Sequence, residues 1–271
     1  MGLRSELLAT NSFCENIATS MIEKSILNPQ NYAQIYNTFE KFEPNPTVQR
    51  LGFLAMSKLY ESELVFKNGS DEIIENHLNN GGNLILTPNH QSNADIPTVA
   101  ALAHTKTFDK LRGNTIIPAK VDMFKWPLVG RFIPHMQAHP TFRSKDFDDS
   151  HYSRILKMEV TESLMRFNIN KINKGSNLAM FPEGTRNQKN LRDVQPLKSG
   201  LARIALGVKD PSNLLIVPLG FSYRKDHPKR SPVAVVPSPI SPQGFDDKEL
   251  LQVTRAMIQE AVSEAFDITE K

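Results

Sequence analysis

The 271-residue chain holds one cysteine, Cys14. A lone thiol cannot build an intramolecular disulfide framework, and this scarcity fits a reducing compartment. No run of eighteen apolar residues occurs, so no membrane-spanning helix is expected. Glu6 and Asn11 interrupt any apolar N-terminal stretch, so a signal peptide is not expected either. Met1-Gly2 opens a myristoylation pattern, but Glu6 stands where that pattern needs Ser or Thr. Charge of one sign is not in excess. Thirty-two basic residues face 29 acidic ones, for a net charge of +3 and a pI near 8.9. That balance does not argue for nucleic acid as a partner. No internal repeat or low-complexity tract stands out. What remains is ordinary folded composition, 39% hydrophobic and 23% charged, in a chain long enough to bury a large core. A cytoplasmic protein, soluble or peripherally attached to membrane, is expected.

The pattern divides the chain at residues 62/63. Residues 1–62 read as an N-terminal helical subdomain and 63–271 as an α/β domain. Leu7, Phe13, Ile17, Met21 and Ile22 recur near helical spacing and predict a helix over 4–27. Asn28-Pro29 and Asn45-Pro46 each place a capping residue before a proline at the first helical position, predicting helices over 29–42 and 46–63. Short strand-like runs then alternate with helical patterns. Strands are predicted at 64–66, 84–86, 115–118, 178–181, 214–217 and 233–236. Helices are predicted at 71–78, 95–105, 159–172, 199–206 and 247–266. This alternation predicts a mostly parallel or mixed central sheet flanked by helices. Ligands in such sheets sit beyond the carboxyl ends of strands.

Two polar islands fall at such ends: Asn89-His90-Gln91-Ser92-Asn93-Ala94-Asp95 and Phe181-Pro182-Glu183-Gly184-Thr185-Arg186. An imidazole can take a proton from a hydroxyl near neutral pH, and a carboxylate on its other nitrogen fixes the tautomer. Five residues separate His90 from Asp95, which in a continuous helix places them on different faces, so the pair needs a turn, with Asn93 as the turn residue. His104 and Asp109 share the offset but trail an apolar helix, where a histidine fits as a C-terminal cation. The bland reading of His90 is a hydrogen-bonded structural histidine. In the second island Pro182 and Gly184 force a turn, and Arg186 has the fork geometry that grips a phosphate. Glu183 is placed either to orient Arg186 or to accept a substrate hydroxyl. An ordinary surface turn is the bland alternative.

Lys198-Ser199-Gly200 opens a helix whose N-terminus is a ready anion site. Val217-Pro218 ends a buried strand and either lines an apolar channel or packs the core. A basic cluster at Arg224, Lys225, Lys229 and Arg230, with Asp226 inside it, suits an anionic membrane surface, an acidic carrier protein, a coenzyme A phosphate or plain solvent.

In this order the islands resemble the glycerolphosphate acyltransferases, in particular the 1-acylglycerol-3-phosphate acyltransferases. Asn89 to Asp95 fits the Asn-His-x-Ser-x-x-Asp block, the HX4D motif. Phe181 to Arg186 fits Phe-Pro-Glu-Gly-Thr-Arg without change, Lys198-x-Gly200 fits Lys-x-Gly, and Val217-Pro218 fits the final Val-Pro block. Lys120, Pro127 and Gly130 fit a second block more loosely. The resemblance covers roughly residues 63–239. It implies His90 as the base and Asp95 as its orienter, with Glu183, Gly184, Thr185, Arg186 and Lys198 around the substrate phosphate. Lys120, Arg131 and Arg143 are further phosphate candidates, and Val217 and Pro218 are acyl-pocket candidates. It implies an acyl-CoA or acyl-carrier-protein thioester as co-substrate, a glycerol-phosphate or lysophospholipid acceptor, and no cofactor or metal.

Two departures stand out. The N-terminus is more polar than the membrane-inserted helices of many relatives and is similar to that of soluble plastid glycerol-3-phosphate acyltransferases. The segment after Gly130, with His135, His139 and Arg143, lacks the usual Arg-containing pattern of the second block. The resemblance implies phosphatidic acid formation in phospholipid biosynthesis. Glycerol-3-phosphate sn-1 acylation, thioester hydrolysis and non-catalytic lipid binding are the alternatives. No Gly-x-Ser-x-Gly elbow surrounds Ser92, so a serine nucleophile is not expected.

Overall fold

A computed structural model of the chain describes residues 26–148, 150–224 and 232–270. The helix expected over 4–27 falls almost wholly outside these residues, as do Cys14, Lys225, Asp226, Lys229 and Arg230. Two compact units form, and they interleave along the chain. The first takes residues 1–51 and 117–167, the second residues 52–116 and 168–271. The sequence pattern instead places a single boundary at 62/63.

The elements in chain order are α1 Tyr32–Lys41, α2 Pro46–Leu59, β1 Glu63–Phe66, α3 Ser70–Asn79, β2 Asn83–Pro88, α4 Asp95–Leu102 and β3 Thr115–Lys120. Two single-turn helices follow, α5 Val121–Phe124 and α6 Val129–Phe132. Then come β4 Ala138–Thr141, α7 His151–Asn173, β5 Asn177–Ala179, α8 Gly200–Gly207, β6 Leu214–Tyr223, β7 Pro232–Val236 and α9 Asp247–Thr269. The strand order is β1-β7-β6-β2-β5-β3-β4, a seven-stranded mixed sheet flanked by helices. Every neighbouring pair is parallel except β6 with β7.

In the second unit β2 lies between β6 and β5, and its burial is near complete from Leu84 to Pro88. That position explains its unbroken Leu-Ile-Leu run, since a parallel strand covered on both faces has no polar side to show. β6 runs to Tyr223, six residues past its expected end. Its first six residues pair with β2, and its last four pair with β7 in the opposite sense. α9 starts at a capping box, in which Asp246 accepts from the N–H groups of Lys248 and Glu249 while Glu249 accepts from the N–H of Asp246. The helix packs on β6 and β7, with Ala261 and Ala265 in a buried cluster with Val233 and Val235 and with Ile258 and Val262 against Val194.

In the first unit α1 buries Ile35, Tyr36 and Phe39. Phe39 meets Phe124 edge-on, with centroids 5.6 Å apart, and Tyr36 tilts against Phe167 at the same distance. The Asn45 carboxamide accepts from the N–H groups of Thr47 and Val48, so the capping signal before Pro46 does what its sequence implies. Strand β4, which the sequence pattern does not predict, pairs with residues 117–120 of β3. Ala138-His139-Pro140-Thr141 has no apolar run and contains a proline, which an edge strand tolerates. Among the described residues no helix is long and apolar enough to cross a membrane.

Gly220 lets α9 lie directly on β6. A Cβ there would stand 2.2 Å from the Ala261 carbonyl carbon and 2.4 Å from its oxygen. Backbone cannot yield as a side chain can, so Gly220→Ala should overpack this contact and cost about 1–3 kcal/mol. A denaturation midpoint lowered at unchanged slope would register that loss.

Candidate active site

The two islands leave adjacent parallel strands. β2 and β5 pair through Ile85 with Leu178 and Leu86 with Ala179, and the Met180 N–H still reaches the Leu86 carbonyl at 3.0 Å. Beyond β2, the Asn89 side chain replaces the backbone ladder. Its oxygen accepts from the Phe221 N–H at 2.6 Å and its nitrogen donates to the Phe221 carbonyl at 3.2 Å. The next residue, His90, is therefore delivered from a fixed edge at the carboxyl end of the strand.

The chain then turns through Asn93-Ala94 into α4, whose first residue is Asp95. This turn brings Asp95 back to His90, as the five-residue offset requires. His90 Nδ1 lies 2.8 Å from Asp95 Oδ2. The Asp95 side chain is fully buried, while that of His90 keeps 13% exposure. Oδ2 also accepts from the N–H groups of Gln91, at 2.7 Å, and Ser92, at 2.8 Å. Oδ1 accepts from the Tyr223 hydroxyl at 2.6 Å. A carboxylate at the first turn of a helix is further favoured by the macrodipole. With the Nδ1 proton directed at Asp95, the Nε2 lone pair is the ring's acceptor. The imidazole stacks on Phe181, with centroids 4.1 Å apart and an interplanar angle of 23°.

Glu183 is buried, and both its oxygens are taken. Oε1 accepts from the His90 N–H at 2.7 Å and Oε2 from the Gln195 N–H at 2.9 Å. Burial raises its pKa above the usual carboxylate value, and the two backbone donors oppose that shift. Each oxygen holds a backbone donor, so the side chain ties loops together. Arg186 instead donates from Nη1 to the Asn93 side-chain oxygen at 2.7 Å, and the Asn187 N–H donates to the His90 carbonyl at 2.7 Å. Two bonds thus stitch the second island to the first, and Asn187, one residue beyond it, adds a third. Gly184 has φ +73°, the left-handed region, and a Cβ there would approach Lys198 Cγ to 3.2 Å. The Lys198 N–H donates to the Pro182 carbonyl at 2.8 Å. Gly184, Thr185 and Lys198 are exposed beside this turn.

Val217 and Pro218 are buried within β6, paired with Leu86 and Thr87 of β2. Lys120, Arg131 and Arg143 belong to the first unit. There Arg143 forms ion pairs with Asp122 and, at 3.6 Å, with Asp146. His104 faces the Arg112 guanidinium at 3.5 Å, and burial first, then that charge, lowers its pKa. Arg224 is paired with Glu63. Among the described residues no group of three or more His, Cys, Asp or Glu side chains is placed to hold a metal ion.

Tyr223 was not foreseeable from local sequence, because it lies 128 residues from Asp95. Burial, then the Asp95 charge, pushes its hydroxyl far above the usual phenol range, so it remains a donor. Phe181 did carry a signal, since it opens the second island.

A sequence model of the family described as Acyltransferase matches residues 71–222, more than half of the chain. The chain belongs to the acyltransferase family. Among solved structures it is similar in fold to the 1-acyl-sn-glycerophosphate (LPA) acyltransferase PlsC from Thermotoga maritima. The TM-score is 0.53 at 20% identity, over 80% of this chain and 78% of that one. No curated protein matches the sequence.

Tyr223→Phe removes one donor to a buried carboxylate, together with the hydroxyl's 3.5 Å contact with Thr98 Oγ1. It should cost about 1–3 kcal/mol of stability. It should also lower kcat at nearly constant KM for any reaction in which His90 takes up a proton, because the phenol bonds Asp95. Parallel denaturation and steady-state kinetics would check both effects.

Proposed function

We propose that the chain is an O-acyltransferase that moves a fatty acyl group from an acyl thioester, on coenzyme A or an acyl-carrier protein, to the free hydroxyl of 1-acylglycerol-3-phosphate. The observation that carries this reading is His90 Nδ1 held 2.8 Å from a buried Asp95 carboxylate, with Nε2 as the acceptor nitrogen. In the proposed reaction the acceptor hydroxyl gives its proton to Nε2 while its oxygen attacks the thioester carbonyl. Asp95 steadies the imidazolium that results. The tetrahedral intermediate collapses as the carbon–sulfur bond breaks, and the imidazolium returns the proton to the departing thiolate. An ester and a free thiol are formed. No step calls for a cofactor or a metal.

Arg186, with Lys198 beside Gly184, supplies positive charge next to the base for the acceptor's phosphate. Holding that phosphate sets the hydroxyl relative to His90, and such positioning lowers the barrier by making the attack effectively unimolecular. Asn93 holds Arg186 in place without neutralising it, because a carboxamide oxygen carries no net charge. The choice of a 1-acyl acceptor over glycerol-3-phosphate is supported by the Thermotoga maritima protein that shares the fold, which is named a 1-acyl-sn-glycerophosphate acyltransferase.

His90→Ala should lower the rate of acyl transfer on the order of 10²–10⁴-fold with the fold intact. Arg186→Ala should mainly raise KM for the phosphorylated acceptor, while KM for the thioester holds. Purified protein should be supplied with 1-acylglycerol-3-phosphate or glycerol-3-phosphate and each thioester carrier, with acylated product and free fatty acid both measured. Phosphatidic acid as the main product supports the reading. Free acid as the main product would make the chain a hydrolase, and a near-wild-type rate in His90→Ala would remove the base.

A further inference from the structure

Two apolar side chains in the first unit, Trp126 and Leu128, are exposed on one turn. Trp126 is 55% exposed and Leu128 76% exposed, with Pro127 between them. They sit at the tip of the turn that joins α5 to α6. The turn is wound tightly: the Gly130 N–H donates to the Trp126 carbonyl at 2.8 Å, and the N–H groups of Arg131 and Phe132 both reach the Leu128 carbonyl at 3.2 Å. A Cβ on Gly130 would lie 2.0 Å from the Phe124 carbonyl oxygen, so the chain doubles back on itself there. Phe124 is buried and packs edge-on against Phe39, which anchors the base of the turn. The two apolar side chains are therefore presented by a preset scaffold, and little ordering remains to be done on binding.

Cations flank the tip. Lys125 precedes Trp126, Arg131 follows one turn later, and both are exposed. The nearest acidic side chain in sequence, Asp122, is engaged by Arg143. A tryptophan and a leucine ringed by lysine and arginine suit the boundary of an anionic bilayer. The indole and aliphatic groups enter the headgroup region and the cations meet lipid phosphates.

We propose that the Trp126–Leu128 turn is a docking point for an anionic lipid bilayer. The choice of a bilayer as occupant rests on the reading of an acceptor that carries an acyl chain, since such a substrate resides at a membrane surface. The rest of the argument uses only the turn.

Trp126 is the sole tryptophan of the chain, so its intrinsic fluorescence reports on this site alone. The full-length protein is titrated with vesicles of phosphatidylglycerol mixed with phosphatidylcholine, and with phosphatidylcholine alone. A parallel set carries brominated acyl chains. The expected result is a blue shift with the anionic vesicles, quenching by the brominated lipid, and weaker binding at high salt. Leu128→Ser keeps the probe and should weaken partitioning on the order of tenfold. Lys125→Glu should weaken it at low salt and much less at high salt.

An unshifted Trp126, or vesicle binding that leaves Trp126 unquenched, would overturn the proposal. So would a shift produced by an acidic acyl-carrier protein and not by vesicles. Turnover of Leu128→Ser with a water-soluble short-chain acceptor, without vesicles, should match the wild type. That readout separates failure of the docking point from failure of the proposed reaction: loss of the fluorescence response with turnover intact removes only the docking point.

Discussion

The buried carboxylate of Asp95 organises the site. A charge taken out of water costs several kcal/mol unless donors surround it. Here four donors do so: the His90 ring, the N–H groups of Gln91 and Ser92, and the Tyr223 hydroxyl. Those donors come from the loop after β2 and from the end of β6, and the acceptor heads α4. Moving any of these elements leaves a buried charge short of a partner. The imidazole is thus held in one orientation and one tautomer by its bond to Asp95.

A second buried carboxylate fixes what surrounds the first. Glu183 joins the His90 loop to the 192–195 segment. That segment is in turn held by α9. Arg255 donates twice to the Val194 carbonyl, and Gln259 donates to the Arg192 carbonyl and accepts from the Val194 N–H. Arg192 closes the far end through Asp267 and Glu270 near the end of α9. The motif glutamate and arginine therefore divide the labour. Glu183 bonds backbone donors inside the protein, and Arg186 donates to a neutral carboxamide at the surface.

Much of the sheet was legible because its strands carry the pattern of their burial. Leu84-Ile85-Leu86 and Val233 to Val236 are unbroken apolar runs, and both strands have helices or strands on every side. β4 was illegible because Ala138-His139-Pro140-Thr141 offers neither alternation nor β-propensity, and its edge position asks for neither. The reversal at β7 was hidden for a different reason, since strand direction follows from how the chain returns from Tyr223 to Pro232 and not from which residues pair. At the site the offset of His90 from Asp95 was readable, yet His104 and Asp109 share it. The turn at Asn93-Ala94 places His90 on a carboxylate, whereas His104, after its apolar helix, faces Arg112. Tyr223 and Gln195 act on residues far off in sequence, and a motif cannot contain a partner that the fold supplies.

The central claim is that Asp95 holds the His90 proton on Nδ1 and leaves Nε2 as the acceptor. Long-range nitrogen–proton correlation spectra of histidine-labelled protein near neutral pH report the tautomer directly, with His90→Ala assigning the signal. The account predicts a protonated, pyrrole-type Nδ1 and an unprotonated, pyridine-type Nε2 for His90. A neutral ring carrying its proton on Nε2 would contradict it.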